Sequence, residues 1–239
     1  MVYARMIREA SRSTPQTLLE LGSGGGNNAS HMKKHFRMTL TDLSPRMLAL
    51  SRTINPECEH ITGDMRTLRL RRHFDAVFVH DAICYMRTKP DLLAAMRTVA
   101  AHLRPGGIAL FAPDDFRDTF RARTAHGGHD AKDTQQGMRF VEWVHDPDPS
   151  GSAYAIDYVY LLRNGASLTL GSDRHVHGLF SRAEWRAALR SCGFSVVRME
   201  RPAGCSHVIL VRKRGQGRGR QPRVRGRSGR KQVTQRAAR

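Results

Sequence analysis

The chain has 239 residues and a formal net charge of +19, with 40 Lys and Arg against 21 Asp and Glu. That length suffices for one α/β domain with a full core. It holds no apolar run long enough to cross a bilayer and no signal peptide's apolar centre, and Cys58, Cys84, Cys192 and Cys205 form no C-x-x-C pair, so a reducing, cytoplasmic setting is expected rather than a disulfide framework or a zinc site.

Residues 1–13 carry apolar side chains at near-helical spacing (Val2, Met6, Ala10; Tyr3, Ile7), and the helix stops near Pro15. Then comes Thr17-Leu18-Leu19-Glu20-Leu21-Gly22-Ser23-Gly24-Gly25-Gly26-Asn27-Asn28, an apolar strand running into an acid and a glycine loop, with a helix predicted over 28–36. Glycines at such a turn let the backbone come close to a ligand. The dinucleotide fingerprint G-x-G-x-x-G fits only in part, because its sixth position is Asn27.

A second strand, 37–42, ends in Asp42, and Ser44-Pro45 opens a helix to about Arg52. Strand three is predicted over 58–62, before Gly63-Asp64-Met65. Strand four, 74–80, is apolar enough to be buried on both faces. A helix over 89–103 ends at Arg104-Pro105-Gly106-Gly107 and turns into strand five, 108–113. Strands alternating with helices argue a parallel sheet with right-handed crossovers. Ligands in such sheets bind beyond the carboxyl ends of the strands, where Glu20, Asp42, Asp64, His80 and Asp81 fall.

Residues 114–137 read as a polar, mobile loop. Three antiparallel strands follow, 138–145, 154–163 and 167–177, the last two joined by the hairpin pair Asn164-Gly165. A helix over 181–192 and an antiparallel pair, 195–201 and 207–211, close a domain spanning 1–211. In 212–239 lie twelve Lys or Arg and no acid, which leaves +7 on the body. The charge excess is a tail property, and 215–239 is expected to be disordered.

The form E-x-G-x-G-x-G at Glu20 to Gly26 resembles the first motif of class I S-adenosylmethionine (SAM)-dependent methyltransferases, and the likeness extends over roughly 17–211. Four further segments agree in order: the acid Asp42, Gly63-Asp64-Met65, the corner Leu103-Arg104-Pro105-Gly106-Gly107 and the closing hairpin. The resemblance implies a Rossmann-like, doubly wound, mostly parallel seven-stranded sheet with a terminal antiparallel hairpin. The antiparallel strands of 138–177 would be inserted after strand five, on the substrate side.

The cofactor implied is SAM, leaving S-adenosylhomocysteine, with no metal. The resemblance implies that Gly22, Ser23, Gly24 and Gly26 approach its amino-acid part and that Glu20 sits below, orienting the loop or accepting from the ammonium. Asp42, beside Leu43, would hold the ribose hydroxyls, Gly63, Asp64 and Met65 the adenine, and His80 would lie near the methyl. Bland roles stay open: Asp42 as a helix cap, Asp64 as a turn residue, Asp81 as a solvated acid.

The acceptor implied is a nitrogen or oxygen of a small molecule, attacked in line. The segment after strand four, His80 to Met86, looks like that of small-molecule methyltransferases, including sugar and amine N,N-dimethyltransferases, and lacks the D/N-P-P-Y/F of amine-methylating nucleic-acid enzymes. Candidate bases are His80, Asp81, Tyr85, His126, His129, His175 and His177, with no single one singled out. His126, His129, Asp130 and Asp133 are metal-ligand types, but a glycine-rich loop makes a poor preformed site. Trp143 and Trp185 read as core or pocket wall. The family usually has more chain before strand one, often a helical lid, and only sixteen residues precede Thr17. The alternatives are an RNA or protein methyltransferase recruited by the basic tail, and a non-catalytic scaffold that keeps the fold.

Overall fold

A computed structural model describes residues 2–132 and 135–215. Of the tail expected over 212–239, residues 216–239 lie outside the described residues, as does Asp133.

The elements are α1 (Val2–Ala10), β1 (Thr17–Leu21), α2 (Asn27–Met32), β2 (Arg37–Asp42), α3 (Pro45–Ile54), β3 (Glu59–Thr62) and β4 (Phe74–Val79). A 3₁₀ turn (Asp81–Tyr85), α4 (Lys89–His102) and β5 (Leu103–Phe111) follow. The second half holds β6 (Arg123–Asp130), β7 (Gln136–His145), β8 (Ala153–Asn164), β9 (Ser167–Gly178), α5 (Arg182–Ser191), β10 (Phe194–Glu200) and β11 (Val208–Lys213).

Seven strands form one sheet in the order β10-β11-β5-β4-β1-β2-β3. β1, β2, β3, β4 and β5 pair in parallel, while β11 runs antiparallel to both β5 and β10. The chain lays β2 and β3 to one side of β1, then crosses to β4 and β5 on the other. The crevice between β1 and β4 is therefore the switch point at which such sheets bind ligands. β1 and β4 are buried almost throughout, as their mostly apolar sequences, interrupted by Glu20 and Asp75, allow.

One face of the sheet packs against Leu92, Met96 and Val99 of α4 and Trp185 and Leu189 of α5. The other takes Ala4, Met6 and Ile7 of α1 with Ala29 and Met32 of α2. Helices α3, α4 and α5 start where side-chain caps allow. Ser44 accepts from Met47 N–H before Pro45, and Ser181 and Glu184 form a reciprocal capping box.

The loop expected over 114–137 is corrected. Arg123–Asp130 is a strand, and the second sheet has four strands, β6-β7-β8-β9, where three were expected. β6 lies at the edge, with mostly exposed polar side chains, so no apolar alternation marks it. Its order comes from the ladder with β7. The sheet's small core is Val144, Tyr154, Ile156 and Leu179. Smaller corrections concern ends: α2 stops at Met32, where Lys33 to His35 turn instead of continuing the helix, and β11 runs on to Lys213. Lys213 Nζ donates to the carbonyls of Ala100 and Leu103, so the first two residues assigned to the tail belong to the fold. Among the described residues no helix is long and apolar enough to cross a membrane.

Candidate active site

The glycine loop is held from below by β2. Gly22 and Ser23 N–H both donate to the Thr41 carbonyl (2.8 and 2.9 Å), and Gly24 N–H donates to Asp42 Oδ2 (2.8 Å). Asp42 Oδ1 accepts from Ser44 N–H (2.8 Å). One carboxylate thus ties the loop to the start of α3, and each of its oxygens keeps a second lone pair. Gly22 and Gly24 lie at φ +73° and +54°, in the left-handed region. A Cβ at Gly22 would stand 2.1 Å from that of Ala82 in the 3₁₀ turn.

A cleft of about 740 Å³ opens here. Its lining brings together Gly22, Asp42, Leu43, Gly63, Asp64 and Met65 from the first sheet, Tyr85 from the 3₁₀ turn, and Asp173 and His175 from β9. Asp64 is gripped by Arg66, whose Nη2 lies 2.6 Å from Oδ2 and which also reaches Asp91 (3.2 Å). That guanidinium holds the Asp64 carboxyl below its usual range.

Glu20 lies under the loop, fully buried, with both carboxylate oxygens lacking a hydrogen-bond partner among the described residues. Burial drives its pKa up to about 8, opposed by the Asn28 side chain and reinforced by Asp42. The folded chain therefore holds a proton that the unfolded chain releases above about 4.5. Stability from this group is full below that pH and is lost as pH rises through about 8. The parent chain is expected to lose on the order of 3 kcal/mol between pH 4.5 and 7 relative to Glu20→Gln, whose side chain stays neutral. Denaturant unfolding at a series of pH values reads the difference, and parallel curves would refute the assignment.

The other candidate residues fall into separate groups. His80, at the end of β4, has Nε2 3.0 Å from Tyr3 Oη and Nδ1 2.7 Å from Asp81 Oδ1. His175 Nδ1 lies 2.7 Å from Tyr85 Oη, and its Nε2 lies 3.2 Å from Asp173 Oδ2. His177 faces inward beside Tyr154 Oη (3.3 Å) and Asp114 Oδ2 (3.7 Å). Burial, then His175, lowers its pKa to about 4, so that contact is no ion pair. His126 and His129 lie on β6, where Asp130 pairs with Arg139 and Arg163. Trp185 is core and Trp143 is 48% exposed.

Sequence reasoning missed Asp114, Cys84 and Asp173. Cys84, Asp114 and His177 present their ligand-type atoms within 4.8 Å of one another, and burial raises the Asp114 pKa to about 6. Their positions at 84, 114 and 177 leave no local pattern to find. The alternation of Asp173 and His175 on one strand face was available, but nothing pointed from them to Tyr85.

Comparison with known proteins agrees with this geometry. Residues 18–107 match the family model described as a methyltransferase domain. Over 192 residues the chain is 32% identical to the dTDP-3-amino-3,4,6-trideoxy-alpha-D-glucopyranose N,N-dimethyltransferase of Streptomyces venezuelae, covering 78% of this chain and 79% of that one. It is 30% identical to the dTDP-3-amino-3,6-dideoxy-alpha-D-glucopyranose N,N-dimethyltransferase of Streptomyces fradiae, over 81% and 75% of the two chains. The crystal structure of Streptomyces venezuelae DesVI superposes with a TM-score of 0.80 at 26% identity, covering 87% of each chain. SAM-bound CalS10, an amino pentose methyltransferase from Micromonospora echinaspora, gives 0.77 at 26%, covering 88% of each. A glycine loop fastened to an acid at the end of β2, at the switch point of this sheet order, and similarity across both sheets place the chain in one family: it belongs to the class I SAM-dependent methyltransferases.

Proposed function

We propose that the chain methylates the amino nitrogen of a small-molecule amine, and that the acceptor class is an amino sugar carried on a nucleoside diphosphate. The observation that carries this reading is the 32% identity to an amino-sugar N,N-dimethyltransferase over 192 residues, 78% of this chain.

The residues present fit SAM. The buried Glu20 carboxyl, whose oxygens lack a close hydrogen-bond partner among the described residues, answers an ammonium, whose charge would draw its proton off. Lone pairs left on Asp42 answer two ribose hydroxyls, and Met65 and Leu43 offer apolar flanks for a purine. Asp64 accepts from an exocyclic amine only on lone pairs that Arg66 leaves free. The cofactor supplies the electrophilic methyl. The protein's part is to hold the amine lone pair in line with it, exclude water and receive a proton. The second sheet puts Tyr85 and His175 on the wall of the same cleft.

The test is direct. Purified protein with SAM and dTDP-3-amino-3,4,6-trideoxy-alpha-D-glucopyranose, the acceptor in the relative's name, is expected to yield mono- and dimethylated sugar by mass spectrometry. Protein that binds S-adenosylhomocysteine yet leaves this amine and related amino sugars unmethylated would end the acceptor reading.

A further inference from the structure

We propose that Asp173, His175 and Tyr85 form a proton relay that clears the acceptor nitrogen between two successive methyl transfers. This inference rests on the amine-acceptor reading.

The hydrogen bonds fix the direction of the chain. A carboxylate only accepts, so Asp173 Oδ2, 3.2 Å from His175 Nε2, takes the hydrogen of that nitrogen. Nδ1 is then left with a lone pair, and Tyr85 Oη, 2.7 Å away, donates to it. The Tyr85 oxygen has lone pairs to spare for a donor in the cleft, which it lines together with Gly22, Asp42 and Met65. Burial raises the phenol above its ordinary pKa, with Cys84 and Asp173 adding to the effect, so Tyr85 works as a hydroxyl that passes a proton on. The third-group logic is that of a nucleophile, a base and an orienting carboxylate.

Two methyl transfers to one nitrogen create the need. In the first, the amine lone pair forms the N–C bond while the C–S bond breaks and its electron pair stays on sulfur. The product is a secondary ammonium with no lone pair, and it cannot attack again until it loses a proton. That proton passes from nitrogen to Tyr85 Oη as the phenol's own proton passes to His175 Nδ1. The imidazolium formed is held by Asp173 and sheds its proton to solvent, which reaches a His175 side chain that is 32% exposed.

The other tyrosine–histidine groups do not serve. Neither Tyr3 nor His80 lines the cleft, and Tyr3, packed on Phe78 with ring centroids 5.3 Å apart, fastens α1 to β4. Tyr154 and His177 are buried, which closes the path to water. The groups facing His175 are Tyr85, Asp173, Tyr158 and His177, with Arg87 and Arg174 on the same cleft wall.

The test compares the parent chain with Tyr85→Phe, His175→Gln and Asp173→Asn on dTDP-3-amino-3,4,6-trideoxy-alpha-D-glucopyranose, resolving the two transfers by rapid quench. In Tyr85→Phe and His175→Gln the second transfer is expected to slow about 100-fold and by more than the first, so that monomethyl sugar accumulates. Raising the pH is expected to restore the second step in His175→Gln, because hydroxide takes over the proton. Asp173→Asn is expected to fall between these variants and the parent. An unchanged mono- to dimethyl ratio, or a loss indifferent to pH, overturns the relay. Nitrogen NMR of the His175 ring in the free protein needs no acceptor: a neutral ring protonated on Nε2 is expected, and one protonated on Nδ1 overturns the relay. A parent chain that leaves the amino sugar unmethylated sinks the acceptor reading instead, and the ring NMR still decides the relay.

Discussion

An Asp42→Ala variant is expected to bind S-adenosylhomocysteine at least ~100-fold more weakly than the parent, a loss of about 2.7 kcal/mol. The carboxylate holds the Gly24 and Ser44 N–H groups at 2.8 Å each, and hydrogen bonds to charged groups contribute about 1.5–3 kcal/mol apiece. Removing it frees the loop and the start of α3, leaves two donors unpaired and deletes the proposed ribose acceptor. Asp42→Asn does little better, since its one remaining oxygen serves a single N–H while its amide presents hydrogens to the other. Titration calorimetry on protein of normal secondary structure reads the effect. Unchanged affinity would mean that the cleft at Asp42 does not take the cofactor.

A larger structural effect is expected at Gly22. Gly22→Ala forces an L side chain into φ +73° and sets its Cβ 2.1 Å from that of Ala82 and 3.1 Å from Met65 Cε. The conformational penalty is about 1–2 kcal/mol and the overlap about 1–3 kcal/mol. The expected fall in Tm is roughly 10 °C, with S-adenosylhomocysteine binding lost because the 3₁₀ turn must retreat across the cleft. Gly24→Ala is the control: its φ of +54° is strained, but its Cβ would meet nothing nearer than Met47 Cε at 3.7 Å. Thermal unfolding of the two variants is expected to rank Gly22→Ala as the worse. The reverse order would show that steric fit against Ala82 is not what the site demands of Gly22.

The features legible in the sequence were those whose chemistry is local. The run from Thr17 to Gly26 states a buried strand and a left-handed turn in adjacent residues, and Asp42 stands at the end of the next strand by simple spacing. The closing hairpin and the Asn164-Gly165 turn were readable for the same reason. β6 was not, because its exposed histidines and glycines carry no alternation and only the ladder to β7 orders them. Nor was the meeting of Tyr85 with His175, 90 residues apart, or of Cys84, Asp114 and His177. Those pairings arise from how the second sheet docks, through Ser152 Oγ donating to the Arg87 carbonyl (2.7 Å) and Gly178 pressed against Met86. Asp64 lines the cleft, but its tight hold by Arg66 is set by a side-chain conformation that spacing does not reveal.

Among the described residues the two sheets share no hydrogen-bonded ladder, and this separation bears on how such a protein can change over generations. The floor proposed to hold the cofactor depends on the register of β1, β2 and β4, where a slip of one residue would exchange the two faces of each strand and bring every side chain into the wrong core layer. The wall formed by β9 keeps its own register with β8 over twelve residues. Substitutions at its cleft-facing positions can therefore accumulate, exchanging one acceptor for another, without disturbing the strands that hold Glu20 and Asp42. Drift in substrate choice and constancy in methyl donor are, in this architecture, inherited on different pieces of backbone.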